Sequence, residues 1–226
     1  MANPEHVKLV KESIEEWNQW RRESPAEAPN LEEANLEGTN LRFADLKEAN
    51  LKRANLKGAN LQEADLYSAD LFKVDLEGAN LEKAGLLFIH LQEADLRNTI
   101  LQEADLRNAD LRYANFQDAN FQATTLVKAN LTEANLKQAI LQNANLTGAN
   151  LQGTSLSGAY LLKTVLKGAN LQGANLKNAK HLTCNQINSV KSLDKDTKFP
   201  DYLEVKITGE NQWTCKEVKK ENDKQE

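Results

Sequence analysis

The stretch LKEANLKRANLKGANLQEADL, residues 46–66, has a leucine at every fifth position, Ala two residues before each, and Asn or Asp between. The register continues in both directions without a slip. From Leu31 to Leu176, thirty successive fifth positions hold 28 leucines plus Phe116 and Phe121. A helix repeats roughly every 3.6 residues and a strand every two. A strict period of five would therefore spread the leucines around a helix, or alternate them between the faces of a strand. The period makes sense if each pentapeptide is one side of a square coil. Ala and Leu then point inward and the other three residues outward. Residues 30–179 make about 7.5 such coils of twenty residues. Stacked at about 4.8 Å, they form a column roughly 35 Å long.

The inward small positions from 34 to 174 agree. Of 29, 22 are Ala, five are Thr (39, 99, 124, 154 and 164), and only Val74 and Ile89 are bulky. A narrow square interior packed to solid-like density needs one large and one small residue per side. Eight of the ten glycines (38, 58, 78, 148, 153, 158, 168, 173) fall just before an inward small residue, at a corner. Positive φ is expected there. Asn and Asp at the preceding corner are suited to bonding nearby backbone.

The run GANLQGANLKNA (168–179), together with 46–66, resembles the pentapeptide repeat family, and the resemblance covers about two-thirds of the chain. It implies an all-β solenoid: a right-handed quadrilateral parallel β-helix. Most members of that family have no assigned biochemical role, and a few bind DNA gyrase by mimicking DNA.

A solenoid must cover both ends of its core. Residues 1–29 read as an N-terminal capping helix and linker. The helix spans 3–22, with Asn3 as N-cap, Pro4 in the first turn, and an apolar stripe of Val7, Val10, Ile14, Trp17 and Trp20. Residues 180–215 read as a C-terminal cap. It holds a short helix from Thr183 with Ile187, Val190 and Leu193 inward, then a strand-like YLEVKI, a turn at Gly209 and an anchor at Trp213. Residues 216–226 are a charged tail, expected to be disordered. Cys184 and Cys215 lie 31 apart. Two readings stand: reduced thiols, or a disulfide pinning the tail to the cap helix.

There is no 18-residue apolar stretch and no signal-peptide core, so the expectation is a cytoplasmic protein without membrane contact. Residues 30–179 hold 18 acidic and 15 basic side chains, a mixed surface unsuited to binding nucleic acid directly. His6, His90 and His181 are far apart in sequence, and no nucleophile, phosphate-loop or metal motif is present. No catalytic residue, cofactor or metal is expected. The reading is a monomeric, non-enzymatic scaffold for an unidentified protein partner; a gyrase-type DNA mimic is the alternative.

Folding the sequence modulo 20 sorts the outward residues onto four sides. Tyr67, Leu87, Phe88 and Val127 fall on one side, and Ile100, Ile140, Tyr160 and Leu162 on its neighbour. The side carrying Asn35 has no outward apolar residue. These eight residues are the expected interaction surface, or the place where segment 199–213 folds back. LLFIH (86–90), with Ile89 in an alanine slot, is where a widened coil is expected.

Overall fold

The computed structural model describes residues 1–218. Parallel bridges join each corner residue to the one twenty positions on, from Asn30↔Asn50 to Tyr160↔Lys180. The chain is therefore a parallel β-helix with twenty residues per coil and four sides. We number the sides by their first corner residues: Asn30, Asn35, Asn40 and Asp45.

One pentapeptide shows how the coil is made. Leu31 N–H donates to Asn50 O of the next coil at 2.8 Å, and Glu33 N–H to Lys52 O at 2.8 Å. Asn55 N–H returns a bond to Ala34 O at 2.9 Å. The corner closes with Ala34 N–H donating to Leu31 O at 3.0 Å around a residue of positive φ, Glu33 at 61°. That is the backbone of a type II turn. All thirty such positions from 33 to 178 have positive φ, eight filled by Gly and 22 by other residues. The Asn or Asp side chain does what its short amide or carboxylate allows: Asn55 Oδ1 accepts from Lys57 N–H at 3.1 Å.

Inside, the Leu column is sealed from solvent along its whole length, and Phe116 meets Phe121 edge-on with centroids 5.0 Å apart. Thr124, Thr154 and Thr164 pass as alanines because each hydroxyl donates to a carbonyl of the coil before it, at 2.6–2.7 Å. Ile89 is fully buried and the ladder runs through 86–90 unbroken, with the corner bond from Ile89 N–H to Leu86 O at 3.3 Å. The neighbouring small residues leave room for one larger side chain.

The N-terminal segment is two helices, α1 (Pro4–Glu12) and α2 (Ile14–Glu23), rather than the single helix expected over 3–22. Ser13 ends one and caps the other, its backbone extended and its Oγ accepting from Glu16 N–H at 3.2 Å. The break bends the apolar stripe, so that Val10 and Trp17 are buried while Val7, Ile14 and Trp20 are half-buried. Side chains of α2 take the place of a missing coil. Asn18 accepts from Asp45 N–H at 2.8 Å and donates to Phe43 O at 2.9 Å, and Trp17 Nε1–H donates to Asp45 O at 2.9 Å. Buried Arg21 ties the linker to the coil through Glu27 O at 2.7 Å and Lys47 O at 3.0 Å.

Past Leu176 the repeat ends but the coiling does not. Bridges lengthen to Asn170↔Ser192 and Asn175↔Lys198. The added residues form α3 (Cys184–Asn188), capped by Thr183, and it stands where the fourth side would be. Gln186 Nε2 from α3 donates to Leu161 O at 2.9 Å and Thr164 O at 2.8 Å, and Ile187, Val190 and Leu193 are buried. An antiparallel hairpin follows, β1 (Leu203–Gly209) and β2 (Gln212–Glu217). Residues 216 and 217 thus belong to a strand, because Lys216 and Glu217 pair with Glu204 and Leu203. The rest of the expected tail, from 219 on, lies outside the described residues.

Candidate interaction surface

On such a rod any surface is a lattice: a residue's neighbours are the adjacent positions on its own coil and those twenty away. On the fourth side, exposed Tyr67 and Phe88 meet edge-on with centroids 6.0 Å apart, and half-buried Leu87 follows Tyr67 on the next coil. Arg107, bonded to Asp105 at 2.6 Å, then separates this group from half-buried Val127. On the third side Ile100 and Ile140 are exposed, with Asn120 on the coil between them. Tyr160 and Leu162 come on the coil after Ile140, half-buried, with Tyr160 4.5 Å from the His181 ring. The structure therefore brings Tyr67, Leu87 and Phe88 together, and Ile140, Tyr160 and Leu162 together. It does not merge all eight into one patch.

Tyr160, against His181, touches the start of the C-terminal cap, while Tyr67, Phe88, Ile100 and Ile140 are open to solvent. The hairpin is held at the end of the rod. Tyr202 OH donates to Ala179 O at 2.8 Å and accepts from Leu182 N–H at 2.9 Å, while its own burial pushes the phenol pKa up. The structure joins Cys184 of α3 to Cys215 of β2 in a disulfide with Cα atoms 5.4 Å apart. Held at these two points, residues 199–213 leave Tyr67, Phe88, Ile100 and Ile140 exposed, contrary to the fold-back expectation.

Sequence reasoning missed part of the surface. On the first side Phe72, His90 and Tyr113 line a shallow cleft with Lys52, Gln92 and Arg112. Tyr113 is 59% exposed. Phe43, on the third side, is exposed with the Arg42 guanidinium 4.4 Å from its ring centroid. The same modulo-20 folding would have found all three aromatics had it been carried to every side and every corner. Tyr67, Leu87 and Phe88 thus form one apolar group on the fourth side, and Phe72 and Tyr113 a second on the first side.

The charged columns are laid out differently along the rod. Each of the ten Lys and Arg residues from Arg42 to Arg112 has a carboxylate within 3.7 Å. Hydrogen bonds from Arg97 and Arg107 hold the Asp95 and Asp105 carboxyls below their usual range. At Asp110 burial pushes the other way, but bonds from Arg112 and Gln92 outweigh it. Among the described residues no group of three or more His, Cys, Asp or Glu is arranged to hold a metal ion, and no helix is long and apolar enough to cross a membrane.

The profile of the family described as pentapeptide repeats matches residues 29–86 and 89–180 in overlapping segments. The chain belongs to the pentapeptide repeat family. Family membership makes its coil a right-handed quadrilateral β-helix. Similar solved structures include HetL, a pentapeptide repeat protein involved in heterocyst differentiation regulation from the cyanobacterium Nostoc sp. Strain PCC 7120. It is 33% identical over 75% of this chain and 78% of that one, with a TM-score of 0.33. QnrB1, a plasmid-mediated fluoroquinolone resistance protein, is 22% identical over 76% and 77%, with a TM-score of 0.40. A pentapeptide repeat protein of the Arabidopsis thaliana thylakoid lumen is 30% identical over 49% and 72%, with a TM-score of 0.33. No curated protein matches the chain.

Proposed function

We propose that this pentapeptide repeat protein is a non-enzymatic, monomeric rod of about 7.5 coils that presents fixed columns of side chains to a protein partner. In this reading α1 and α2 cap one end, and α3 with the hairpin caps the other. The observation that carries it is the exposure of two corner aromatics: Phe88, 43% exposed against Tyr67, and Tyr113, 59% exposed in the cleft with Phe72. An aromatic at such a corner buries nothing in the core, so its use is outside. Aromatic side chains are also the ones enriched at protein interfaces.

The test is a photoreactive phenylalanine analogue placed at Phe88 or at Tyr113 in the living host, with Asn98 on the second side as control. A discrete adduct to one protein is expected from the first two positions and none from the third. Absence of adducts at both aromatic positions rejects the reading. The gyrase-mimic alternative is weaker, because a DNA mimic needs unpaired carboxylates and ten of the thirteen between Arg42 and Arg112 pair with cations; purified gyrase should supercoil DNA undisturbed. We place the protein in the cytoplasm, where thiol pools disfavour disulfides. The bonded Cys184–Cys215 pair pulls against that placement.

A further inference from the structure

From Ala134 to Leu193 the chain has no Asp or Glu at all, and six lysines: Lys137, Lys163, Lys167, Lys177, Lys180 and Lys191. All six are exposed, and among the described residues none is in an ion pair. Residues 1–133, by contrast, carry 24 acidic and 15 basic side chains. A near-balanced total thus conceals an acidic body followed by an acid-free, basic stretch, after which Asp194 begins a cap of mixed charge. The basic stretch also has an apolar foothold. Val165, 43% exposed, sits between Lys163 and Lys167 in sequence and lines a shallow hollow with Lys167 and with Asn185, Gln186 and Ser189 of the α3 region.

We propose that these acid-free coils dock an acidic segment of a partner polypeptide, with Lys163 and Lys167 flanking an apolar residue of that segment on Val165. The inference rests on the scaffold reading above and gives the partner its chemistry. Charge complementarity is the argument for the occupant: among the described residues these lysines meet no carboxylate, so a partner's carboxylates face no competitor there. Length argues against nucleic acid. Three coils span only about 15 Å at about 4.8 Å each. A duplex gains affinity by adding phosphate contacts along its axis, and here it would run onto the acidic body.

Fluorescence anisotropy of the full chain with a labelled oligoglutamate of about twenty residues tests this, beside a DNA duplex of equal charge. Oligoglutamate should bind at low salt and weaken by about tenfold or more when salt is raised fourfold, as exposed charges are screened. Lys163→Glu with Lys167→Glu should weaken it at least about tenfold with an unchanged melting curve, since neither lysine has a partner to lose. Lys57→Glu, at a cation already paired with Glu77, should leave binding unchanged. Binding should protect Lys163 and Lys167, and not Lys57, from acetylation. The inference is overturned by no binding at low salt, by tighter binding of DNA, by equal loss with Lys57→Glu, or by self-association of the protein that the double variant abolishes. Should oligoglutamate fail while the Phe88 and Tyr113 cross-links still capture a protein, the scaffold reading stands and the acidic partner falls.

Discussion

Two stretches of the same rod solve their surfaces in opposite ways. Between Arg42 and Arg112 every cation meets a carboxylate, often twenty residues away on the next coil, as in Lys57–Glu77 at 2.7 Å. Between Ala134 and Leu193 no carboxylate exists to meet. Beneath both runs the same Leu and Ala interior, so the backbone does not dictate the difference. In a coil of this kind the inside specifies the fold and leaves the outside free to differ from one end to the other.

The largest test of that separation is a buried lysine in each stretch. Leu111→Lys and Leu151→Lys both place an ammonium in a dry apolar column. Each should prevent folding or cost several kcal/mol, as unpaired buried charges do. Gln117→Lys, outward and half-buried, should change stability by no more than roughly 0.5 kcal/mol. Denaturant melts decide it: a clear difference between the two leucines would mean that the two stretches are not alike inside.

Next comes the end of the paired stretch. Deleting residues 1–23 removes Asn18, Trp17 and Arg21 from the backbone groups of residues 43–47 and opens a strand-like edge. Sedimentation should then show end-to-end association. A truncated rod that stays monomeric with an unchanged melt would deny the helices their capping role.

At the other end, Cys215→Ser should cost about 2–4 kcal/mol if the bond closes a loop in the unfolded chain. Hydrogen exchange should rise in β1 and β2 and not in the repeats. Mass spectrometry of alkylated protein from cells completes this test. Free thiols at both positions fit a cytoplasmic protein; a complete disulfide would move it to an oxidising compartment.

The smallest effect concerns acid. Because Asp95 and Asp105 are held below their ordinary pKa by arginine partners, their contribution is present above the unfolded value near pH 4 and is lost as pH falls through the lower folded value. Below about pH 4, exchange should therefore quicken first in coils between residues 42 and 112. Arg97→Ala should change the neutral-pH melt little, since the pairs are solvent-screened. Uniform acid loosening along the rod would remove the distinction between the stretches.

How much of this was legible beforehand follows from what each residue answers to. Leu31 to Leu176 answer to a single repeated demand, burial, so their register gave the coil and its inward columns. The corner glycines were legible for the same reason, though the 22 other residues at positive φ were not: the turn is imposed by the coil and tolerated by Glu33 or Phe88 alike. Ser13 was misread because the spacing of Val10, Ile14 and Trp17 continues across it. Only the extended backbone at Ser13 reveals two helices. The irregular last coil was invisible because its spacings of 22 and 23 break the period while keeping the pairing. The surface was legible only in part. Modulo-20 folding placed Tyr67 beside Leu87, but nothing in it weighs exposure, and it passed over Tyr113.

The bridge spacing of twenty has a consequence for how such a chain can change its length. The core keeps time in fives and the surface in twenties. Excising one pentapeptide would leave every inward column in register, yet turn everything beyond the excision by a quarter revolution. Lys167, now on the fourth side, would come to rest on the third. Excising a whole coil would shorten the rod and leave all four sides in phase. Insertions and deletions in multiples of five are thus nearly silent to stability, while only multiples of twenty are silent to whatever reads the surface.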